Sequence, residues 1–103
     1  MVDDCIFCKI IAGDIPSSKV YEDEEVLAFL DISQVTPGHT LVVPKKHARN
    51  LLEMDETVTA QLFARVSKVA KKVEAATQAK GMNIISNMEE VSGQTVFHTH
   101  VHI

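Results

Sequence analysis

Three of the five histidines lie in the last six residues of the chain, His98-Thr99-His100-Val101-His102-Ile103. In a strand, side chains alternate with a period of two, so all three imidazoles would project from one face. Thr99, Val101 and Ile103 would then point the other way, into a core. Crowded imidazoles are costly unless they share hydrogen bonds, a metal or an anion, because few of them can be protonated together. Two chemistries suit such a face. It can ligate a metal with an open position for water, or its middle histidine can attack phosphorus while its neighbours hold oxygens and the leaving group. The preceding Ser92-Gly93-Gln94-Thr95 favours the second, since its N–H groups, amide and hydroxyls could converge on an anion.

Cys5 and Cys8 form a second candidate, a C-x-x-C pair that fits a metal clamp, a redox couple or two bystander thiols. A redox pair would normally follow a strand and open a long helix, whereas this pair lies at the amino terminus. No secretory signal is visible, which points to a cytoplasmic protein with reduced thiols.

These residues need a scaffold. Asp4 is expected to cap a short helix carrying Ile6, Phe7, Ile10 and Ile11, stopped by Gly13. Lys19 to Glu22 and Val26 to Asp31 read as a hairpin around an acidic turn. Pro37-Gly38 is a turn pair, followed by a β-branched run from His39 to Val43 that Pro44 ends. Lys45, Lys46, His47 and Arg49 then form a small basic cluster, equally suited to a solvated loop. The longest element is a helix capped by Asp55 and stopped by Gly81, with Val58, Leu62, Val66, Val69, Val73 and Ala76 on one face. Met82 to Asn87 and Thr95 to Ile103 read as strands. The expected architecture is a single α+β domain over residues 1–103, an antiparallel sheet with one long and one short helix.

The chain carries 10 Lys+Arg against 14 Asp+Glu, a net charge of -4 that disfavours general nucleic-acid binding. No apolar run reaches the ~18 residues of a membrane span.

The histidine run resembles the signature of the histidine triad (HIT) family, in which three histidines alternate with apolar residues. Cys5-Ile6-Phe7-Cys8-Lys9-Ile10-Ile11, Ala28-Phe29-Leu30-Asp31-Ile32, and Pro37-Gly38-His39-Thr40-Leu41-Val42-Val43-Pro44-Lys45-Lys46-His47 are similar to the same family. With Asn87 and Gly93-Gln94-Thr95 they keep its order across practically the whole chain. The nearest branch is the small nucleotide-binding one of Hint-like and bacterial HIT proteins. Thr99 departs from the usual apolar position, and Ile103 ends the chain one residue short of the full signature, as if a carboxy-terminal tail were missing.

The resemblance implies a homodimer with a purine-nucleotide pocket on each subunit. It implies hydrolysis of nucleoside phosphoramidates or related nucleoside monophosphate conjugates through a nucleotidyl-histidine. By position, His100 matches the nucleophile, His102 the histidine at the phosphate and leaving group, and His39 a supporting histidine. Thr95 matches a donor to the developing charge. Asp31 corresponds to the ribose-binding carboxylate, and Ile6, Phe7, Ile10, Phe29 and Ile32 to apolar walls around the base. Asn87, Gly93, Gln94 and Thr95 fall at phosphate contacts. Cys5, Cys8, His47 and His98 match a structural zinc site of some members. Alternatives are a dinucleoside polyphosphate hydrolase, a nucleotide-binding interaction module with incidental hydrolysis, and a zinc hydrolase using the triad as ligands.

Overall fold

A computed structural model describes residues 4–31 and 38–103. Helix α1 (Ile6–Ala12) is capped by Cys5, whose Sγ accepts from the backbone N–H of Cys8 at 3.3 Å. The cap is therefore one residue later than expected: the sulfur takes the role assigned to Asp4. Gly13 ends α1 at φ 87, a left-handed conformation that glycine adopts without a Cβ penalty.

Four strands follow, β1 (Lys19–Glu22), β2 (Val26–Leu30), β3 (Thr40–Pro44) and β4 (Val101–His102), arranged in that order and antiparallel throughout. The β1–β2 hairpin is closed by Asp23, whose carboxylate accepts from the N–H groups of Glu25 and Val26, from Tyr21 and from Arg65. Both faces of the sheet are covered, which is why β2 and β3 are almost uniformly apolar instead of alternating. On one face Leu27, Phe29, Leu41 and Val43 pack with Phe7, Cys8 and Ile10 of α1. On the other, Val26, Ala28, Val42 and Val101 pack with α2 (Glu56–Thr77).

The stripe Leu62, Val66, Val69 and Val73 of α2 is buried against its own sheet. Phe63 of the same helix lies outside this stripe and is 37% exposed. Asp55 caps α2 as expected, accepting from Val58 N. The helix stops at Thr77, with Gln78 in the left-handed conformation at φ 56, and not at Gly81. Its last turn closes on Gly38, where a Cβ would stand 2.8 Å from Thr77 Cγ2, so only glycine fits that approach.

The two carboxy-terminal strands are shorter than expected. Between Met82 and Asn87 only Ile85 bridges the sheet, exchanging both backbone hydrogen bonds with His102. Ser86 uses its hydroxyl on the carbonyl of His100 instead. From Thr95 to Ile103 only Val101 and His102 are strand. The preceding backbone is drawn elsewhere: Thr99 donates N–H and hydroxyl to Ala48 O, and the Val96 carbonyl accepts from Gln94. Among the described residues no helix is long and apolar enough to cross a membrane.

Candidate functional site

The sheet register decides where the histidines point. Val101 pairs with Val42 and faces α2, whereas His102 pairs with Leu41, a member of the α1-side cluster. Alternation then carries His98 and His100 to the α1 side as well. Phe7 of α1 meets them edge-on, with ring centroids 5.0 Å from His100 and 6.0 Å from His98. His100 and His102 lie 5.0 Å apart, centroid to centroid.

Backbone carbonyls fix the tautomers of His98 and His100. His100 Nδ1 lies 2.8 Å from the carbonyl oxygen of His98, and a carbonyl only accepts, so Nδ1 carries the proton and Nε2 the lone pair. Burial lowers the pKa of His100, against the opposing hydrogen bond to His98 O and the negative charge of Asp31. The ring is therefore neutral at neutral pH. His102 Nδ1 lies 2.9 Å from His39 Nε2, and His39 Nδ1 lies 3.5 Å from the Asp31 carboxylate. With Asp31 accepting from His39 Nδ1, His39 Nε2 accepts from His102, whose Nε2 is left as lone pair. Burial, then the neighbouring His100 and His39, lower the pKa of His102.

The first histidine belongs to a different cluster. His98 Nε2 donates to Pro44 O at 2.8 Å, turning its Nδ1 lone pair toward Cys5 Sγ at 3.4 Å and Cys8 Sγ at 3.5 Å. His47 Nδ1 stands 3.0 Å from the same nitrogen and 3.4 Å from Cys8 Sγ. The four ligand atoms lie within 4.8 Å of one another, so Cys5, Cys8, His47 and His98 could hold a metal ion. Burial pushes the His98 pKa down to about 4 and the Cys5 thiol up. Two ring nitrogens and two soft sulfurs gathered at one point form a donor set that a four-coordinate cation fits.

The remaining expected residues divide. Phe7, Ile10 and Phe29 are buried core members on the α1 side, where Phe7 supports His100, while Ile6 is 46% exposed. Ile32 lies outside the described residues. The Gly93-Gln94 segment is not the open anion nest its composition suggested. Ser92, Gly93 and Gln94 give their backbone N–H groups to Glu89, Glu90 and Glu89 carbonyls. The Gln94 amide, 2% exposed, donates to Arg49 O and Val96 O and accepts from Asn50 Nδ2 and Glu89 N. Its buried amide thus ties the loop to Arg49 and Asn50. Asn87 and Thr95 flank that loop, and the Asn87 amide lies 3.8–3.9 Å from where a Gly93 Cβ would sit. Gly93 itself adopts φ 108.

Sequence reasoning missed the clamp under this loop. Arg49 grips Glu89 through Nε at 2.7 Å and a terminal nitrogen at 3.0 Å, and buried Asn50 adds a bond of 2.6 Å. Hydrogen bonds from Arg49, then Asn50, hold the Glu89 carboxyl below its usual range. Glu89 has φ 74 and ψ 156, a region almost confined to glycine, where other residues bear strain of about 1–3 kcal/mol. A residue pair forty positions apart leaves no local pattern. The only available signal was Arg49 in the basic cluster, which a solvated loop explains equally well.

Two clefts open beside these residues. One, of about 630 Å³, runs past His39, His102 and Ile103 to the end of α2. The other, of about 600 Å³, is bordered by Cys5, Ile6, His47, Arg49, Thr95 and Phe97.

The comparisons agree with this geometry. Residues 12–103 match the family model described as HIT domain. The chain is 56% identical over 101 residues to Protein hit of Bacillus subtilis, covering 98% of this chain and 70% of the relative. It is 39% identical to adenylylsulfatase HINT3 of Arabidopsis thaliana, with 98% and 51% covered. The crystal structure of SMU.412c from Streptococcus mutans superposes with a TM-score of 0.97 at 68% identity, over 99% of this chain and 65% of that one. The chain thus spans about two thirds of the length of that structure and half that of the plant relative. With the family model matched over almost the whole chain and the three histidines on one face of its sheet, this chain belongs to the HIT family.

Proposed function

We propose that this chain binds a purine nucleotide and hydrolyses a nucleoside monophosphate conjugate, a phosphoramidate or a related mixed anhydride, through a nucleotidyl intermediate on His100. The observation that carries this reading is the fixed tautomer of His100, a neutral imidazole whose Nδ1 proton is occupied by His98 O. Its Nε2 lone pair attacks the α-phosphorus as the bond to the leaving group breaks, and that group takes its proton from solvent, while the His102 Nε2 lone pair is free to accept a proton from the water of the second step. Water then attacks phosphorus, the P–N bond to His100 breaks, and the nucleoside monophosphate leaves. The plant relative is an adenylylsulfatase, and adenylyl sulfate is a conjugate of this class.

The chain's other residues take supporting roles. Asp31 accepts from the ribose hydroxyls, and His39 orients His102. Ile6, Phe7, Ile10 and Phe29 form the apolar side of the base pocket. Asn87 and Thr95 donate to phosphate oxygens, stabilising charge that develops in the transition state. Gly93 and Gln94 shape the loop between them.

Zinc is the ion that suits Cys5, Cys8, His47 and His98. Its bonds of about 2.0–2.3 Å put tetrahedral ligand atoms roughly 3.3–3.8 Å apart, close to the contacts of 3.4 and 3.5 Å around His98 Nδ1. Four protein ligands leave no open position, so the ion would tie α1 to the triad segment structurally. His100 and His102 stay outside this set, which argues against a zinc hydrolase that uses the triad as ligands. A second copy of the chain completes the reading: exposed Phe63 on α2 and Ile84 and Ile85 beside β4 are apolar surface suited to a two-fold dimer.

The test is a panel of nucleoside phosphoramidates, adenylyl sulfate and dinucleoside polyphosphates, offered to the wild-type chain and to His100→Ala. Turnover of the first two classes that vanishes in the variant supports the reading. Equal rates for both proteins would refute it.

A further inference from the structure

Glu89 sits at the start of the loop that separates Asn87 from Thr95, and four observations single it out. Its backbone is held at φ 74 and ψ 156, where a side chain is rarely tolerated. Its carboxylate is gripped from three sides, by two nitrogens of Arg49 and by Asn50 Nδ2. Its N–H donates to the Gln94 amide, and its carbonyl accepts from Ser92 N and Gln94 N. Asn50 and Gln94, 1% and 2% exposed, are bonded to each other beneath it.

The consequences are geometric. Every backbone bond that closes the loop on itself begins or ends at Glu89 or Glu90. The loop is then fixed to the body of the protein through one carboxylate and one buried amide. Both reach the same short stretch, Arg49-Asn50, which follows His47 by two residues. Asn87 and Thr95 are the donors at the two ends of this closed loop, and neither makes a hydrogen bond among the described residues. Their separation and direction depend on how the loop is held. Strain at a non-glycine position persists only where surrounding contacts over-determine it, and here a bidentate arginine does so.

We propose that Glu89 is a positioning residue for phosphate: its carboxylate, held by Arg49 and Asn50, keeps the 88–94 loop in the conformation that aims Asn87 and Thr95 at one anion. This rests on the reading of Asn87 and Thr95 as phosphate donors. Glycine at position 89 would relieve the backbone strain yet release the anchor. Glutamine would keep the side-chain length and remove the charge that Arg49 holds.

The test compares binding of AMP with adenosine, and of GMP with guanosine, by titration calorimetry on the wild-type chain, Glu89→Gly and Glu89→Gln. Wild type should prefer the monophosphate in at least one pair. Both variants should lose about tenfold in affinity for that monophosphate and keep wild-type affinity for the nucleoside. Variants that retain the full preference would overturn the positioning role. So would loss of the fold in both, since Glu89 would then be a structural clamp only. If the wild type shows no preference in either pair, the phosphate reading of Asn87 and Thr95 fails first, and the role of Glu89 falls with it.

Discussion

His100 donates from Nδ1 to the backbone carbonyl of His98 at 2.8 Å, so the proposed nucleophile is oriented by the backbone of a residue whose ring could hold a metal ion. This bond fixes the nitrogen that keeps the lone pair, and the Phe7 and His102 rings, each 5.0 Å away centroid to centroid, pack against the imidazole. Heteronuclear NMR of the imidazole nitrogens should find His100 protonated at Nδ1 in the free protein. Protonation at Nε2 would remove the nucleophile from the proposed position.

The metal cluster predicts composition and stability together. Protein purified without chelator should carry one zinc per chain by elemental analysis. Cys8→Ser should lower both the zinc content and Tm while leaving measurable turnover, because His100 and His102 are not among the ligands. Metal-free protein of full stability, with both thiols freely alkylated, would remove zinc from the description.

Asp23 predicts how stability depends on pH. Its burial opposes ionisation, but hydrogen bonds from Tyr21, Arg65 and the N–H groups of Glu25 and Val26 outweigh it and hold the carboxyl well below the carboxylate range. A carboxyl depressed in the folded state contributes stability that is full above its unfolded pKa of about 3.9. That contribution is lost as pH falls toward the folded value. Asp23→Ala should therefore cost about 1–3 kcal/mol at neutral pH, and the gap from wild type should narrow below pH of about 4. Denaturant melts at several pH values read both quantities, and a gap independent of pH would contradict the assignment.

Phe63 tests the second copy. Sedimentation at micromolar concentration should give a dimer, and Phe63→Glu should shift it toward monomer without lowering helix content. A wild-type monomer at every concentration would defeat the dimer, whereas an unaffected dimer of the variant would move its surface away from α2.

What the sequence makes legible follows the range of the interactions. Asp55, Gly13 and the four-then-three spacing of α2 act within one or two turns, so the start of α2 and the end of α1 can be read directly. Alternation at His98, His100 and His102 likewise places three rings on one face, although only His102 of the three lies in a strand. The end of α2 was misread because Gly81 advertises a stop, while the helix ends where Thr77 meets Gly38. The loop before the triad was misread for a related reason. Gly93 and Gln94 look like open donors, but their N–H groups close on the Glu90 and Glu89 carbonyls, and Arg49 and Asn50, distant along the chain, hold the Gln94 amide. Composition reveals which groups are present, and packing decides which remain available.

The central claim is covalent attack by His100, and an intermediate trapped on the protein tests it most directly. Wild-type chain is mixed with a nucleoside phosphoramidate, quenched in denaturant at non-acidic pH to spare the P–N bond, and digested for peptide mass spectrometry. The expected result is one nucleotidyl group on His100, absent from His100→Ala, whose turnover should fall on the order of a thousandfold or more. A nucleotidyl group on another residue, or wild-type turnover by His100→Ala, would contradict it.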